Sequence, residues 1–171
     1  MTFLELAKKR FSVRSFADKT VEQEKLDMIL EAGHVAPTAC NFQPQRIYVV
    51  QSAEVREKLA AVCRFTFGAP VILVVCYDRT RDWKNKLMPG YESGETDAAI
   101  VCTHMMLEAE ELGLGACWVG YFDAAKIAEA LELPENVTVS AMLPLGYPAE
   151  DAKPLPLHSQ FRDASEIVEY I

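Results

Sequence analysis

The chain has 171 residues, half of them apolar and a quarter charged. This length and composition predict a single domain over residues 1–171 with a substantial core, and they exclude a disordered chain. Seventeen Lys and Arg residues stand against twenty-five Asp and Glu residues, and the resulting net charge of −8 argues against general nucleic-acid binding. A small local anion site remains compatible with that charge.

Targeting signals and metal motifs are not evident in the sequence. No stretch approaches the roughly 20 uncharged apolar residues of a membrane helix, and the N-terminus lacks the pattern of an export signal. The five cysteines, at 40, 63, 76, 102 and 117, include no C-x-x-C pair. Their odd number and wide spacing are typical of reduced thiols and predict a cytoplasmic protein. The three histidines are far apart, so no metal site is predicted.

The first predicted elements are two helices separated by an extended segment. Thr2 to Glu5 has the form of a capping box and begins a short helix that runs to about Lys9. The segment R-F-S-V-R-S-F at 10–16 follows, and a second capping box at 20–23 begins the next helix. The apolar residues spaced for the inner face of that helix are Leu26, Ile29, Leu30 and Val35. Pro37 ends it and opens a loop over 37–45.

The remainder of the chain mixes strands and helices, with four or five strands in total. The further elements are strand 46–51, helix 53–64, strand 70–77, a long surface loop 78–93, helix 95–112, strand 116–121, a helix capped by Asp123, and strand 137–145. The nearly continuous β-branched run at 70–77 predicts a central strand that is buried on both faces. The alternating residues of E-I-V-E-Y-I at the end predict a final strand or arm. This pattern raises the question of whether the segment pairs with another subunit.

The first candidate site is formed by Arg10, Ser12 and Arg14. Side chains at every second residue of an extended backbone share one face. Two guanidinium groups and a hydroxyl suit a phosphate monoester. An edge strand with solvated arginines has the same pattern, and the triplet by itself favours that second interpretation.

Two further segments carry polar or flexible residues in constrained positions. Thr38, Asn41 and Gln43 offer hydrogen-bonding groups that match the edge of a heterocycle, although ordinary turn chemistry explains them equally well. The segment G-L-G-A-C-W-V-G at 113–120 fails the dinucleotide-binding pattern, because Trp118 replaces the third glycine and a helix precedes the segment. Gly120 would allow a flat ligand to approach the backbone. No nucleophile or paired acid can be singled out, so a cofactor is expected to carry the chemistry.

The order of these segments resembles the nitroreductase family of FMN-dependent oxidoreductases over nearly the whole chain. The matching strings are R-x-S-x-R-x-F, P-T-A-x-N-x-Q-P, E-T-D-A-A-I, G-L-G-x-x-W-V-G and P-L-G-Y-P. The resemblance implies an α+β fold with a central mixed sheet flanked by helices. It also implies an intertwined homodimer with two FMN sites at the subunit interface.

The resemblance also assigns the cofactor-binding residues. They are Arg10, Ser12, Arg14, Pro37, Thr38, Ala39, Asn41, Trp118, Val119, Gly120 and Arg162. Arg10 and Ser12 would hold the phosphate and the ribityl end. Arg162 would return to the phosphate, with Lys153 as its substitute, because Gln160 stands where many relatives carry Lys.

The other assigned residues would surround the ring. Arg14 would reach the ribityl chain and the pyrimidine edge and stabilise the reduced flavin. Segment 37–39 would flank the ring from the partner subunit, and Asn41 would bond its pyrimidine edge. Segment 118–120 would pack beside the ring with a backbone N–H near N5.

The implied reaction passes a hydride from NADH or NADPH through flavin N5 to a small organic acceptor, such as a nitroaromatic or a quinone, by a ping-pong mechanism. Loop 78–93 would shape the choice of acceptor, although a solvated connector explains its residues as well. The alternatives are a non-catalytic flavin-storage dimer, and a reductive dehalogenase or ene-reductase variant of the same fold. In a further alternative, Arg10 and Arg14 bind an acidic partner chain.

Overall fold

The structure is built around one four-stranded sheet with helices on both faces. A computed structural model describes all 171 residues. The helices are α1 (Phe3–Lys9), α2 (Gln23–His34), α3 (Ala53–Val62), α4 (Gly94–Glu111) and α5 (Ala124–Ala130). The strands are β1 (Gln45–Val50), β2 (Val71–Asp78), β3 (Gly115–Ala116) and β4 (Val137–Gly146), in the order β1-β2-β4-β3. No helix is both long enough and apolar enough to cross a bilayer.

Strand β2 is the centre of the fold and confirms the prediction for 70–77. Successive side chains of a strand point to opposite faces. Leu73 and Val75 enter the core formed with α2 and α4, whereas Ile72, Val74 and Cys76 enter the core formed with α3 and α5. Each fully buried aliphatic side chain stabilises the fold by about 1.5–3 kcal/mol. Helices on both sides therefore explain why this strand lacks a polar face.

The N-terminal segment joins the sheet at a single parallel bridge between Ser12 and Ala116. The named strands pair antiparallel, so the expected mixed sheet is parallel only at this point. The Val13 N–H donates to the Ala116 carbonyl at 3.0 Å. A Cβ at Gly115 would lie 2.4 Å from Val13 Cγ2, so glycine permits this close approach. The bridge fixes where residues 10–14 lie.

Two predicted helix caps are confirmed. The Thr2 N–H donates to Glu5 Oε2 at 2.7 Å, and the Glu5 N–H donates to Thr2 Oγ1 at 3.3 Å. Asp123 Oδ1 accepts from the N–H groups of Ala125 and Lys126. Both caps satisfy helix N–H groups that have no carbonyl partner within the helix.

The predicted capping box at 20–23 is wrong. Helix α2 begins at Gln23 after Glu22, and no side chain caps it. The Glu22 carboxylate instead accepts the Tyr147 hydroxyl at 2.7 Å. The Gln23 side chain, which the box would need, donates to Asp27 Oδ1 at 2.7 Å.

The prediction for Val35 is also wrong. It is 67% exposed, because nine residues at about 100° each place it on the opposite face of the helix from Leu26. Leu26 and Ile29 are fully buried as predicted, and Leu30 packs against the same core.

Predicted strand 116–121 is shorter than expected, with only Gly115 and Ala116 in β3. The Cys117 N–H reaches the Pro144 carbonyl at 3.2 Å. A proline has no N–H to return that bond, which weakens the ladder here. Pairing resumes at one bridge between Val119 and Met142.

The C-terminal segment forms an arm, and the alternative of a final strand is wrong for the single chain. The segment contains the 3₁₀ turns Pro156–Ser159 and Ala164–Glu166, and residues 167–171 form no strand. Residues 159–171 are exposed throughout, including Phe161 and Tyr170. The alternating segment 166–171 therefore pairs with no strand of this chain.

Asp78, at the end of β2, makes the stability of the fold dependent on pH. Hydrogen bonds from Thr80 and Asn136 hold the pKa of Asp78 at about 2, below its ordinary value. Because the folded pKa is below the unfolded one, this stabilisation is present above about pH 4 and is lost as the pH falls towards 2. We expect Asp78→Asn to flatten the curve of melting temperature against pH between about 4 and 2.

The matched control for Asp78→Asn is Asp18→Asn, at an exposed carboxylate in the loop before α2. The control variant should keep the wild-type slope. Equal slopes for all three proteins would contradict the role of Asp78.

Candidate functional site

The ladder of Arg10, Ser12 and Arg14 lines a pocket, as the phosphate interpretation requires. The pocket measures about 300 Å³ and also includes His158. None of the ion pairs of the chain involves Arg10 or Arg14. Arg14 Nη1 donates to the Ser12 carbonyl at 3.0 Å, which folds its guanidinium group back along the ladder. Two uncompensated cations beside a hydroxyl group favour an anionic ligand.

A buried thiol, Cys117, lies beside this ladder. Burial raises the pKa of the Cys117 thiol, and the opposing effects of Arg14, Ser12 and Arg10 only partly offset that rise. The thiol therefore stays protonated near neutral pH, so it brings no negative charge that would neutralise the arginines.

His158 is a pocket residue that the sequence analysis did not identify. Its ring lies 6.4 Å from the Phe11 ring, centroid to centroid, in an edge arrangement. The two predicted candidates for this place, Arg162 and Lys153, are exposed and do not line the pocket in the single chain. The signal that could have indicated His158 is its position two residues before Gln160, where the resemblance expected a Lys.

Loop 37–43 is held in an unusual backbone conformation. Cys40, Asn41 and Gln43 have φ angles of 49°, 55° and 50°. Non-glycine residues adopt this left-handed region at a cost, and such residues cluster at functional sites. Thr38 Oγ1 accepts the Gln43 N–H at 3.0 Å and closes the loop.

A carboxylate that the sequence analysis did not single out anchors this loop. Asp97, which is 2% exposed, accepts the Ala39 N–H at 2.9 Å and the Ser93 hydroxyl at 2.7 Å. Ser93 Oγ in turn accepts the Trp83 N–H at 3.1 Å. Asp97 therefore connects loop 37–43 to loop 78–93. Its signal in the sequence is an acid in the apolar run T-D-A-A-I-V.

Segment 118–120 offers unpaired backbone N–H groups at Trp118 and Gly120, and open space at Gly120. The Val119 N–H donates to the Met142 carbonyl at 2.9 Å, so it has no capacity left for a ligand. Gly120 is exposed, its N–H has no partner in the chain, and a Cβ built on it meets nothing within 4 Å. No packing contact requires glycine there, and the open backbone fits a flat ligand such as a flavin ring. Trp118 is half-buried against the core beside it.

One chain does not bring the ladder and loop 37–43 together. Asp97, which holds Ala39, lies near the start of α4, whereas Glu110 near its end pairs with Lys9 at 3.0 Å. These two positions on α4 are thirteen residues apart, or roughly 20 Å along the helix. The ladder follows Lys9 directly, so the two groups of predicted residues lie towards opposite ends of α4.

The fold and site define an α+β protein with a pocket lined by two arginines, a loop in the left-handed backbone region and an open glycine. The nitroreductase family model matches residues 7–64 and 62–147. A solved nitroreductase family protein of Clostridium difficile is 39% identical with a TM-score of 0.92, covering 99% of this chain and 98% of its own.

Two further proteins show the same similarity. A Methanothermobacter thermautotrophicus protein, described as an NADH dehydrogenase/NAD(P)H nitroreductase, is 34% identical over 88% of this chain and 80% of its own length. A Desulfovibrio desulfuricans protein, described as a nitroreductase and solved in complex with FMN, is 31% identical with a TM-score of 0.84, covering 98% of this chain and 95% of its own. The chain belongs to the nitroreductase family.

Replacing Asp97 should loosen loop 37–43. Asp97→Asn keeps one acceptor oxygen but loses the charge and the second acceptor, so we expect a loss of about 1.5–3 kcal/mol in the free energy of unfolding. Amide hydrogen exchange should rise at 38–43 and at Trp83, because both are anchored through this side chain.

The control for Asp97→Asn is Glu111→Gln, at an exposed acid on the last residue of α4. It should leave exchange in both loops unchanged. Faster exchange spread evenly over the whole chain of Asp97→Asn would contradict a specific anchoring role.

Proposed function

We propose that this protein, as one domain of residues 1–171, is an FMN-dependent oxidoreductase that uses NADH or NADPH. When bound, FMN would accept a hydride at N5 and deliver it to a small organic acceptor, such as a nitroaromatic or a quinone, in two successive half-reactions. Membership in the nitroreductase family supports this proposal, as do the FMN complex and the NAD(P)H-linked description among the relatives.

The single observation that carries the proposal is the pair of arginines without carboxylate partners. Arg10, Ser12 and Arg14 line one pocket in a chain of net charge −8. A phosphate group would compensate both guanidinium groups and accept the Ser12 hydroxyl. His158, on the same pocket, is positioned to contribute a further donor.

The ring end of the ligand requires residues from elsewhere. The Gly120 N–H is unpaired and exposed, and it is our candidate for the group that faces N5. Pro37, Thr38, Ala39 and Asn41 would enclose the ring. No side chain of this protein is assigned to proton transfer, because water can supply protons to the product.

We propose a homodimer in which each site is shared. The ladder and loop 37–43 lie towards opposite ends of α4, so a second copy can bring its loop to the ladder of the first. The exposed apolar residues of the C-terminal arm, such as Phe161 and Ile167, would be covered by the partner. Such an arm would also give Arg162 a route to the phosphate that it lacks in the single chain.

The test of this proposal is an absorption spectrum of the purified protein, incubated with FMN and recorded before and after anaerobic addition of NADPH. We expect a bound flavin spectrum, bleaching on addition of the donor, and recovery of the spectrum when a quinone is added. A protein that takes up no FMN would overturn the proposal. Bound flavin that neither bleaches nor supports turnover would indicate a storage dimer instead.

Arg10→Ala should weaken FMN binding. Loss of one charge-assisted pair with the phosphate costs about 1.5–3 kcal/mol, which is roughly a ten- to hundredfold rise in Kd. Fluorescence titration of the apoprotein with FMN measures the change. Lys86→Ala, at an exposed lysine in loop 78–93, provides the control for lost charge. Equal FMN affinity in Arg10→Ala and wild type would contradict the phosphate role.

A further inference from the structure

A second pocket lies next to the proposed ring position and has a different chemical character. It measures about 450 Å³ and opens where the 3₁₀ turn Arg64–Thr66 faces the segment after Val119. Its lining includes Arg64, Phe65, Gly120 and Tyr121. Gly120 is also the open residue of the proposed ring-facing segment, so a molecule in this pocket would lie beside the flavin.

Aromatic rings form the walls of this pocket. The Phe65 and Tyr121 rings meet edge to face, with centroids 5.7 Å apart at 76°. Phe67 extends the cluster at 6.0 Å from Phe65. Tyr121 is 80% exposed, so its ring is accessible to a ligand at the mouth of the pocket. The walls therefore suit a planar aromatic ligand.

Arg64 gives the pocket an uncompensated positive charge. Its guanidinium carbon lies 4.7 Å from the centroid of the Phe65 ring, and it takes part in none of the ion pairs of the chain. Asp123 is the acid on the lining. Its carboxylate caps α5, lies 3.8 Å from Lys126 Nζ and forms no ion pair with Arg64.

We propose that this pocket receives the electron acceptor and that Arg64 selects planar aromatic acceptors that carry a carboxylate or sulfonate group. This inference rests on the proposed function and adds the chemical class of the acceptor. When the acceptor is a quinone, its reduction to a hydroquinone takes two electrons and two protons. NAD(P)H supplies the hydride, which is both electrons and one proton, and water supplies the second proton.

The kinetic test compares two quinones on the FMN-loaded protein: 1,4-naphthoquinone-2-sulfonate and the uncharged 2-methyl-1,4-naphthoquinone. We expect Arg64→Gln to raise the KM for the sulfonate about tenfold and to leave the KM for the uncharged quinone within about twofold, because only one of them loses a charge-assisted contact. Lys58→Gln removes the same charge from the exposed face of α3 and should change neither value.

A binding measurement tests the same pocket without turnover. Naphthalene-2-sulfonate, which cannot be reduced by NAD(P)H, is titrated into wild type and Arg64→Gln by calorimetry, with naphthalene-2-methanol as the uncharged counterpart. We expect the Kd of the sulfonate to rise about tenfold in the variant while the Kd of the alcohol stays constant.

Three results would overturn the inference. Equal losses of affinity for the charged and the uncharged ligands would indicate that Arg64 has only a structural role. A rise confined to the KM for NADPH would indicate that Arg64 binds the phosphates of NADPH and not the acceptor. Unchanged sulfonate binding would leave Arg64 without a role in this pocket. Failure of the proposed function is distinguishable, because wild type would then bind no FMN and reduce neither quinone, while the calorimetric comparison would still decide the role of Arg64.

Discussion

The site depends on the bridge between Ser12 and Ala116. Gly115 allows Val13 to approach the sheet, and the hydrogen bond at Ala116 then holds residues 10–14 extended, so that every second side chain faces one pocket. Arg10 and Arg14 line this pocket and have no carboxylate partner, so an anion bound there could pair with both guanidinium groups.

Helix α4 determines how the parts of the site are distributed. Its first turns hold loop 37–43 through Asp97, and its last turn holds α1 through Glu110. The helix is also the main core element against β2 and β4. The helix keeps these two regions apart within one chain, so a site that uses both would need a second copy.

Local patterns in the sequence predicted the fold well, and long-range contacts explain where they failed. The cap at Thr2, the cap at Asp123 and the central position of β2 depend on neighbouring residues or on a continuous apolar run. At the start of α2, where the predicted box was wrong, Glu22 bonds to Tyr147, 125 positions away, and no local pattern records that contact.

In the candidate site, too, local motifs were predicted and long-range contacts were missed. The sequence motifs identified Arg10, Ser12 and Arg14, which the structure brings to one pocket. His158 and Asp97 were missed because their roles arise only when distant segments meet. The assignment of individual ring contacts by resemblance remains a prediction, and Arg162 depends on an arm whose position in a dimer the sequence does not determine.

The anchoring of two loops by one buried carboxylate has a consequence for protein engineering. Loop 78–93 is exposed over most of its length and would be a natural region for randomisation to alter acceptor range. Its last residue, Ser93, is nevertheless part of the support of Ala39. Libraries that keep Ser93 constant would vary the exposed part of the loop freely, whereas libraries that include it would also loosen the support of loop 37–43.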